Sequence, residues 1–205
     1  MLHQCFSKKL EACILKLDFS KAFDCVGWDF LLSLLEARGF GPKWCSWIKS
    51  SLTSSKSSVL VNGTASNSFV CHRGLKQGDP LSPMLFLLVA DVLCRMLLSS
   101  SDHGDLSDLN LKGHLNGIKS LHFADDTIIF CKASVPDITN LKSILYLFES
   151  TSGLAINFAK SNLLYSGKSS SSGAMLANIL NCSLASPPIK YLGLPLKRGS
   201  LSRPD

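Results

Sequence analysis

Apolar and polar positions alternate along Glu11–Asp18, with Cys13, Leu15 and Leu17 on one side and Ile14 and Lys16 on the other. This period of two predicts a strand, closed by Asp18. Phe19–Asp24 then turns the chain. Over Trp28–Ala37 the spacing becomes helical, with Leu31, Leu32, Leu34 and Leu35 apolar and Gly39 as a stop. A second helix is predicted over Pro42–Leu52, where Trp44, Trp47, Ile48 and Leu52 share a face and Pro42 suits the first turn. Ser57–Val61 and Ser68–Cys71 flank Asn62-Gly63, a strong hairpin signal. Arg73–Pro80 is a loop with two glycines, and Ser82 and Pro83 read as the N-cap and first position of an apolar helix running to Leu98. Ser99–Gly117 is polar and reads as a surface loop. In Leu121–Phe130 two apolar runs flank Asp125-Asp126, which predicts a hairpin with both acids as its two-residue tip. Pro136–Ser150 carries Ile138, Leu141, Ile144, Leu145 and Phe148 on one helical face and ends at Gly153. Leu154–Asn157 and Asn162–Tyr165 read as short strands, Lys168–Gly173 as a serine-rich loop, Ala174–Leu180 as a short helix, and Ile189–Leu196 as a last strand pair or turn.

Composition narrows this picture. A chain of 205 residues, 46% hydrophobic and 18% charged, can bury a real core as one domain, or as a domain and a fragment. Leu81–Leu98 is long enough to suggest a membrane span, but Asp91 and Arg95 stand four apart, an ion pair that lipid would penalise. A half-buried helix is therefore expected, and no membrane partner. The net charge of +6 is compatible with a polyanion. None of the eight cysteines forms a CxxC pair, and Cys13, Cys94 and Cys131 lie in apolar runs, so free thiols in a reducing compartment are expected rather than a disulfide framework or a zinc site. Met1–Cys5 has no signal-peptide character, which makes the expected location intracellular, in nucleus or cytoplasm.

The candidate chemistry lies in the acids. Adjacent carboxylates repel and raise each other's pKa unless a cation sits between them. Asp125 and Asp126 therefore read either as a divalent-metal site of hard oxygen ligands or as an exposed polar turn. Asp18, at the end of a strand, reads alone as a helix N-cap. Gathered by a fold, the three acids could hold two divalent ions and serve an in-line phosphoryl displacement.

Three stretches carry a family resemblance: Asp18-Phe19-Ser20-Lys21-Ala22-Phe23-Asp24, Gly74-Leu75-Lys76-Gln77-Gly78-Asp79-Pro80-Leu81-Ser82-Pro83, and Phe123-Ala124-Asp125-Asp126. In that order they resemble motifs A, B and C of reverse transcriptases from non-LTR (LINE-type) retrotransposons, in a style similar to elements common in plant genomes. Gly153–Ser161 is similar to motif D and Tyr191-Leu192-Gly193 to motif E. The likeness runs from about Glu11 to Leu196 and makes the whole chain, 1–205, a partial reverse transcriptase domain. It implies an α+β fold: a polymerase palm with an antiparallel, ferredoxin-like βαββαβ sheet and helices on one face, with fingers and thumb largely missing.

The resemblance implies RNA-directed DNA synthesis on an RNA template, from a DNA primer and dNTPs. It also implies two Mg²⁺ ions, with Mn²⁺ as an alternative. Asp18 and Asp125 would be the main metal ligands, Asp126 a secondary ligand or charge neighbour, and the Phe19 carbonyl a further contact. Phe23 matches the bulky position that excludes a ribose 2′-OH, or is a core aromatic. Gln77 and Gly78 match residues packed against the incoming nucleotide and template. Arg73 and Lys76 would meet phosphates or stand in solvent, and Lys160 matches the lysine that protonates the pyrophosphate leaving group. Tyr191, Leu192 and Gly193 would grip the primer end. Two alternatives stay open: another palm polymerase, such as a group II intron maturase, and a catalytically inactive remnant that binds nucleic acid or a partner. Oligomeric state is not legible.

Overall fold

The computed structural model describes residues 2–54, 56–109, 111 and 117–196. At its centre is β1 (Ala12–Leu17), flanked on one side by β7 (Asp126–Lys132) and on the other by β8 (Asn162–Ser166), both antiparallel to it. β6 (Ser120–Phe123) pairs with β7, and β9 (Ser183–Ala185) lies parallel to β8, giving the order β6-β7-β1-β8-β9. Helices α2 (Ala22–Cys25), α3 (Trp28–Ala37), α4 (Pro42–Thr53) and α5 (Ser82–Asp102) separate β1 from β6. α6 (Val135–Ser152) connects β7 to β8, so the central four strands and their crossovers form the expected βαββαβ palm. α1 (Leu2–Ser7) precedes the sheet and α7 (Ser170–Leu180) joins β8 to β9. Outside the sheet, β2 (Lys56–Ser57) pairs with β5 (Phe69–Val70), β3 (Leu60–Val61) with β4 (Thr64–Ala65), and β10 (Ile189–Tyr191) with β11 (Leu194–Leu196).

The period of two in β1 divides the core. Cys13, Leu15 and Leu17 point to the helix-covered face with Ile129, Cys131 and Leu163, under Leu31 and Leu35 of α3, Phe86 and Leu93 of α5, and Phe148 of α6. Ile14 points to the other face with Ile128, Phe130 and Leu164, where Phe6 of α1 and Ile189 and Tyr191 of β10 pack over it. α5 is long and apolar enough to span a membrane by length and composition. Here it is a half-buried core helix: Leu85, Phe86, Val89, Ala90, Leu93 and Leu97 are buried, while Arg95 Nε lies 2.8 Å from Asp91 Oδ2 across one turn. Arg38, the C-cap of α3, joins the same carboxylate.

Several elements differ from the sequence expectation. The acid hairpin turns through Ala124-Asp125, because Phe123 pairs with Asp126, so Asp126 is a strand residue and not part of the tip. Ala124 takes the left-handed conformation there, at φ 52. Ser82 is not the N-cap of α5: the Asp79 carboxylate accepts the Leu81 amide at 2.7 Å, and the helix starts with Ser82 already inside it and extends to Asp102. The stretch 57–71 is a broken hairpin, with Asn62 at φ 50 and Gly63 at φ 81 turning β3 directly into β4 while β2 meets β5 further out. Leu154–Asn157 contributes one bridge, Ile156 to Phe19, and no strand. The serines from Ser170 belong to α7, where Leu176, Ala177 and Leu180 are buried. α1 and β9 were not foreseen. Of the polar loop expected over 99–117, residues 110 and 112–116 lie outside the described residues.

Candidate active site

Asp18 follows the last residue of β1. Its backbone is fixed on both sides by the segment after α6: the Asp18 amide donates to Ser161 Oγ at 3.1 Å, and its carbonyl accepts the Asn157 amide at 2.8 Å. The Ser20 amide donates to the Ala155 carbonyl at 2.8 Å, which continues the pairing past the Phe19–Ile156 bridge. Asp18 does not cap α2, whose N-cap position is Lys21. The Phe19 ring turns inward and lies 6.3 Å from that of Phe148.

In the β1–β7 register Leu17 stands opposite Thr127, and one further step sets Asp18 opposite Asp126. Asp125 occupies the adjoining turn and is exposed. The three acids are thus brought to one end of the sheet by two strands far apart in the chain. Among the described residues no three acid, His or Cys side chains yet converge as a metal-holding group. The donor set consists of carboxylates alone, the hard oxygen ligands that suit a small divalent cation. One cation already faces it: Lys16 Nζ lies 3.8 Å from Asp126 Oδ1 and donates to the Lys190 carbonyl at 3.0 Å. Tyr191 is the next residue along β10. Its phenol is raised above its ordinary pKa by burial and then by the negative charge of Asp126. Leu192 at φ 50 and Gly193 at φ 79 turn β10 into β11. Lys160, exposed, sits in the turn just before Ser161, so the segment resembling motif D lies against Asp18.

Of the remaining sequence-predicted residues, Arg73, Lys76 and Gln77 line a second feature, and Phe23 and Gly78 adjoin it in the chain. A cleft of about 930 Å³ is lined by Lys21, Asp24, Trp28, Lys56, Arg73, Lys76 and Gln77, with four cations against one acid. Its floor is a tight backbone junction. The Gly74 amide donates to the Val26 carbonyl at 2.8 Å, the Leu75 amide to that of Phe23 at 2.7 Å, and Trp28 Nε1 to that of Gly74 at 2.7 Å. Gln77 Nε2 lies 3.5 Å from Asp24 Oδ1. Phe23 is half-buried, its ring stacked 4.8 Å from that of Phe86 at an interplanar angle of 13°. Gly78 takes φ 88, which side-chain-bearing residues rarely adopt, with open space around it.

Six contributors are not among the sequence-predicted site residues: Lys16, Lys21, Asp24, Trp28, Lys56 and Ser161. Lys16 left a signal, as the one charged residue inside an apolar strand. Lys21, Asp24 and Ser161 lie within the stretches resembling motifs A and D, while Lys56 left only its charge and Trp28 only its place on a helix face.

Comparison with known proteins shows the family to which this fold belongs. The family described as Reverse transcriptase (RNA-dependent DNA polymerase) matches residues 2–196. A Pol polyprotein from the type-1 retrotransposable element R2 of Popillia japonica is 30% identical over 144 residues, 70% of this chain and 23% of that protein. The transposon TX1 149 kDa protein of Xenopus laevis is 29% identical over 96% of this chain, which spans 14% of it. In fold, the chain is similar to telomerase from Candida albicans, with a TM-score of 0.66 at 12% identity over 96% of this chain and 31% of that one. The chain thus spans less than a quarter of the length of these curated relatives. With the family matched from end to end of the described sheet, this chain belongs to the reverse transcriptases, alongside the polymerases of non-LTR retrotransposons.

Proposed function

We propose that the chain carries the polymerase palm of a non-LTR retrotransposon and performs RNA-directed DNA synthesis. What carries this reading is the antiparallel register that sets Asp18 opposite Asp126, with Asp125 in the adjoining turn. The family uses divalent metal ions, and here two Mg²⁺ ions, or Mn²⁺ in their stead, would be held by Asp18 and Asp125, with Asp126 and the Phe19 carbonyl as further contacts. Ions bound there supply positive charge that offsets the charge building up on phosphate oxygens in the transition state. The primer 3′-OH gives up its proton to solvent and its oxygen forms a bond to the α-phosphorus of a dNTP while the bond to the bridging oxygen breaks and pyrophosphate departs. The protein's part is to align these atoms.

Within that reading, Tyr191, Leu192 and Gly193 seat the primer end beside Asp126. Phe23, its ring held by the stack on Phe86, closes the space a ribose 2′-OH would need. Gln77 and Gly78 pack against nucleotide and template, while Arg73 and Lys76 meet phosphates in the basic cleft. Lys160 delivers a proton to the leaving pyrophosphate. The eight free thiols support a reducing intracellular setting, in nucleus or cytoplasm.

The test is primer extension on an RNA template with Mg²⁺ or Mn²⁺, comparing the chain with its Asp125→Ala, Asp126→Ala variant. Incorporation by the parent that vanishes in the variant is the expected result. A folded parent that incorporates nothing overturns the claim of activity for this chain and favours the inactive remnant that binds nucleic acid or a partner.

A further inference from the structure

We infer that Lys16 is a positioning residue that couples the carboxylate cluster to the β10–β11 hairpin. The strand that carries it is otherwise apolar, and its neighbours Leu15 and Leu17 are buried against the helices. On the opposite face Lys16 follows Ile14 and precedes Asp18, so its ammonium lies between an apolar cluster and the acids. There it makes two contacts that join separate elements: 3.8 Å to Asp126 Oδ1 at the start of β7, and a donated hydrogen bond of 3.0 Å to the Lys190 carbonyl in β10.

The physical logic has two halves. Asp125 and Asp126 are adjacent, and Asp18 follows Leu17, which pairs with Thr127 next to Asp126, so in the ion-free protein like charges gather at one end of the sheet. A cation there lowers that repulsion, and Lys16 is the chain's own. The second half concerns the hairpin. Among the described residues β10 and β11 pair only with each other and belong to no larger sheet. Their hold on the palm is side-chain packing of Ile189 and Tyr191 on the Ile14, Ile128, Phe130 and Leu164 cluster, with the Lys16 bond as a directed tether. One ammonium thus serves both, and the seating of the hairpin depends on the charge at Asp126.

This inference rests on the proposed polymerase reading only for its functional meaning, because that reading assigns primer gripping to the hairpin. Its test needs no polymerase activity. Hydrogen exchange of residues 189–195 is followed by mass spectrometry in the chain without metal, nucleotide or primer. Lys16→Met is expected to speed exchange of the hairpin amides about ten-fold, the effect of losing one charge-assisted hydrogen bond, with the β3–β4 hairpin unchanged as an internal control. Lys16→Arg, which keeps the charge, restores slow exchange. Asp126→Asn speeds the same amides in the parent but adds nothing in the Lys16→Met background, because both changes release one tether. A purely packing role for Lys16 would instead make the two effects multiply. Unchanged hairpin exchange in Lys16→Met, or multiplying effects in the double variant, overturns the inference. Should Lys16→Met fail to fold, Asp126→Asn alone decides: no acceleration of the hairpin overturns it. A chain inactive in primer extension that still shows this coupling would sink the enzyme reading and leave the inference standing.

Discussion

Gly74 is the point at which two motifs far apart in sequence touch through backbone alone, and Gly74→Ala gives a quantitative test of that junction. A Cβ built at Gly74 meets the Asp24 carbonyl oxygen at 2.7 Å and the Asp24 C and Cα at 3.0 Å, with φ at +91. All three are backbone atoms, so nothing flexible can swing aside. The left-handed conformation alone costs alanine about 1–2 kcal/mol. Alanine's smaller unfolded-state entropy offsets about 0.4–1 kcal/mol of this. The larger effect is displacement of Asp24, which strains the three hydrogen bonds joining residues 74 and 75 to Phe23, Val26 and Trp28. At about 0.5–1.5 kcal/mol each, partial loss of the three brings the total to about 3 kcal/mol. Gly78→Ala is the control: its φ is +88 but nothing lies within 4 Å, so only the backbone contribution remains, about 1 kcal/mol or less. Urea denaturation of parent and both variants measures the difference, and for a domain of this size 3 kcal/mol corresponds to about 6–12 °C in Tm. If the two alanine variants lie within about 0.5 kcal/mol of each other, the close approach of the two motifs at Gly74 is wrong.

His122 gives a pH-dependent prediction. Its Nδ1 and Nε2 each lie 3.0 Å from a hydroxyl, of Thr127 and Ser120, and burial lowers its pKa from 6.5. The unfolded chain therefore gains a proton that the folded chain resists, so the stability this residue contributes is present above the ordinary value and lost as pH falls below it. His122→Gln should flatten the stability curve between about pH 7 and pH 5, measured by thermal melts, and an unchanged slope refutes it. Asp91, whose pKa is lowered first by the Arg95 hydrogen bond, and Asp108, lowered first by that of Lys119, lose stability only further down, below 3.8. Lys119, 5% exposed, donates to the Ser107 carbonyl at 2.9 Å and to Asp108 at 2.8 Å. Lys119→Met should cost about 2 kcal/mol in urea denaturation, chiefly through the orphaned carbonyl, since Asp108 can return to water. Ser134 caps α6 by accepting the Asp137 amide at 3.2 Å, and Ser134→Ala should lower stability by about 1 kcal/mol in the same assay.

Local chemistry was legible wherever one segment decides its own structure. Trp28–Ala37 is helical with the predicted bounds, because its leucine spacing and the stop at Gly39 compete with nothing. Asn62-Gly63 turns as its dipeptide dictates. The errors fall where a distant partner decides. Leu154–Asn157 has the look of a strand, but its backbone bonds go to the irregular segment after β1, which yields one bridge. The serines of 170–173 disfavour a helix only weakly, and the burial of Leu176, Ala177 and Leu180 overrides them. β9 is three residues long and exists because β8 offers a parallel edge. Asp126 read as a turn residue because adjacent acids resemble a polar tip, while the pairing of Phe123 shifts the turn back by one.

The site itself is a gradient along two strands, visible only once they are paired. On the face of β1 away from the helices, successive positions run from Ile14 through Lys16 to Asp18, from buried and apolar to charged. On the same face of β7, read in the opposite direction, they run from Phe130 through Ile128 to Asp126. Antiparallel register superimposes the two series, Ile14 on Phe130 and Lys16 on Ile128, so apolar meets apolar at one end and acid meets acid at the other. The covering elements obey the same gradient. Phe6 of α1 and Ile189 and Tyr191 of β10 pack where the face is apolar and can repay their ordering with buried surface. No such gain is available over the carboxylates, whose desolvation would be costly, so among the described residues no apolar element packs over that end of the sheet. The polarity that suits these acids to binding a cation is thus also what opposes burying them under an apolar element.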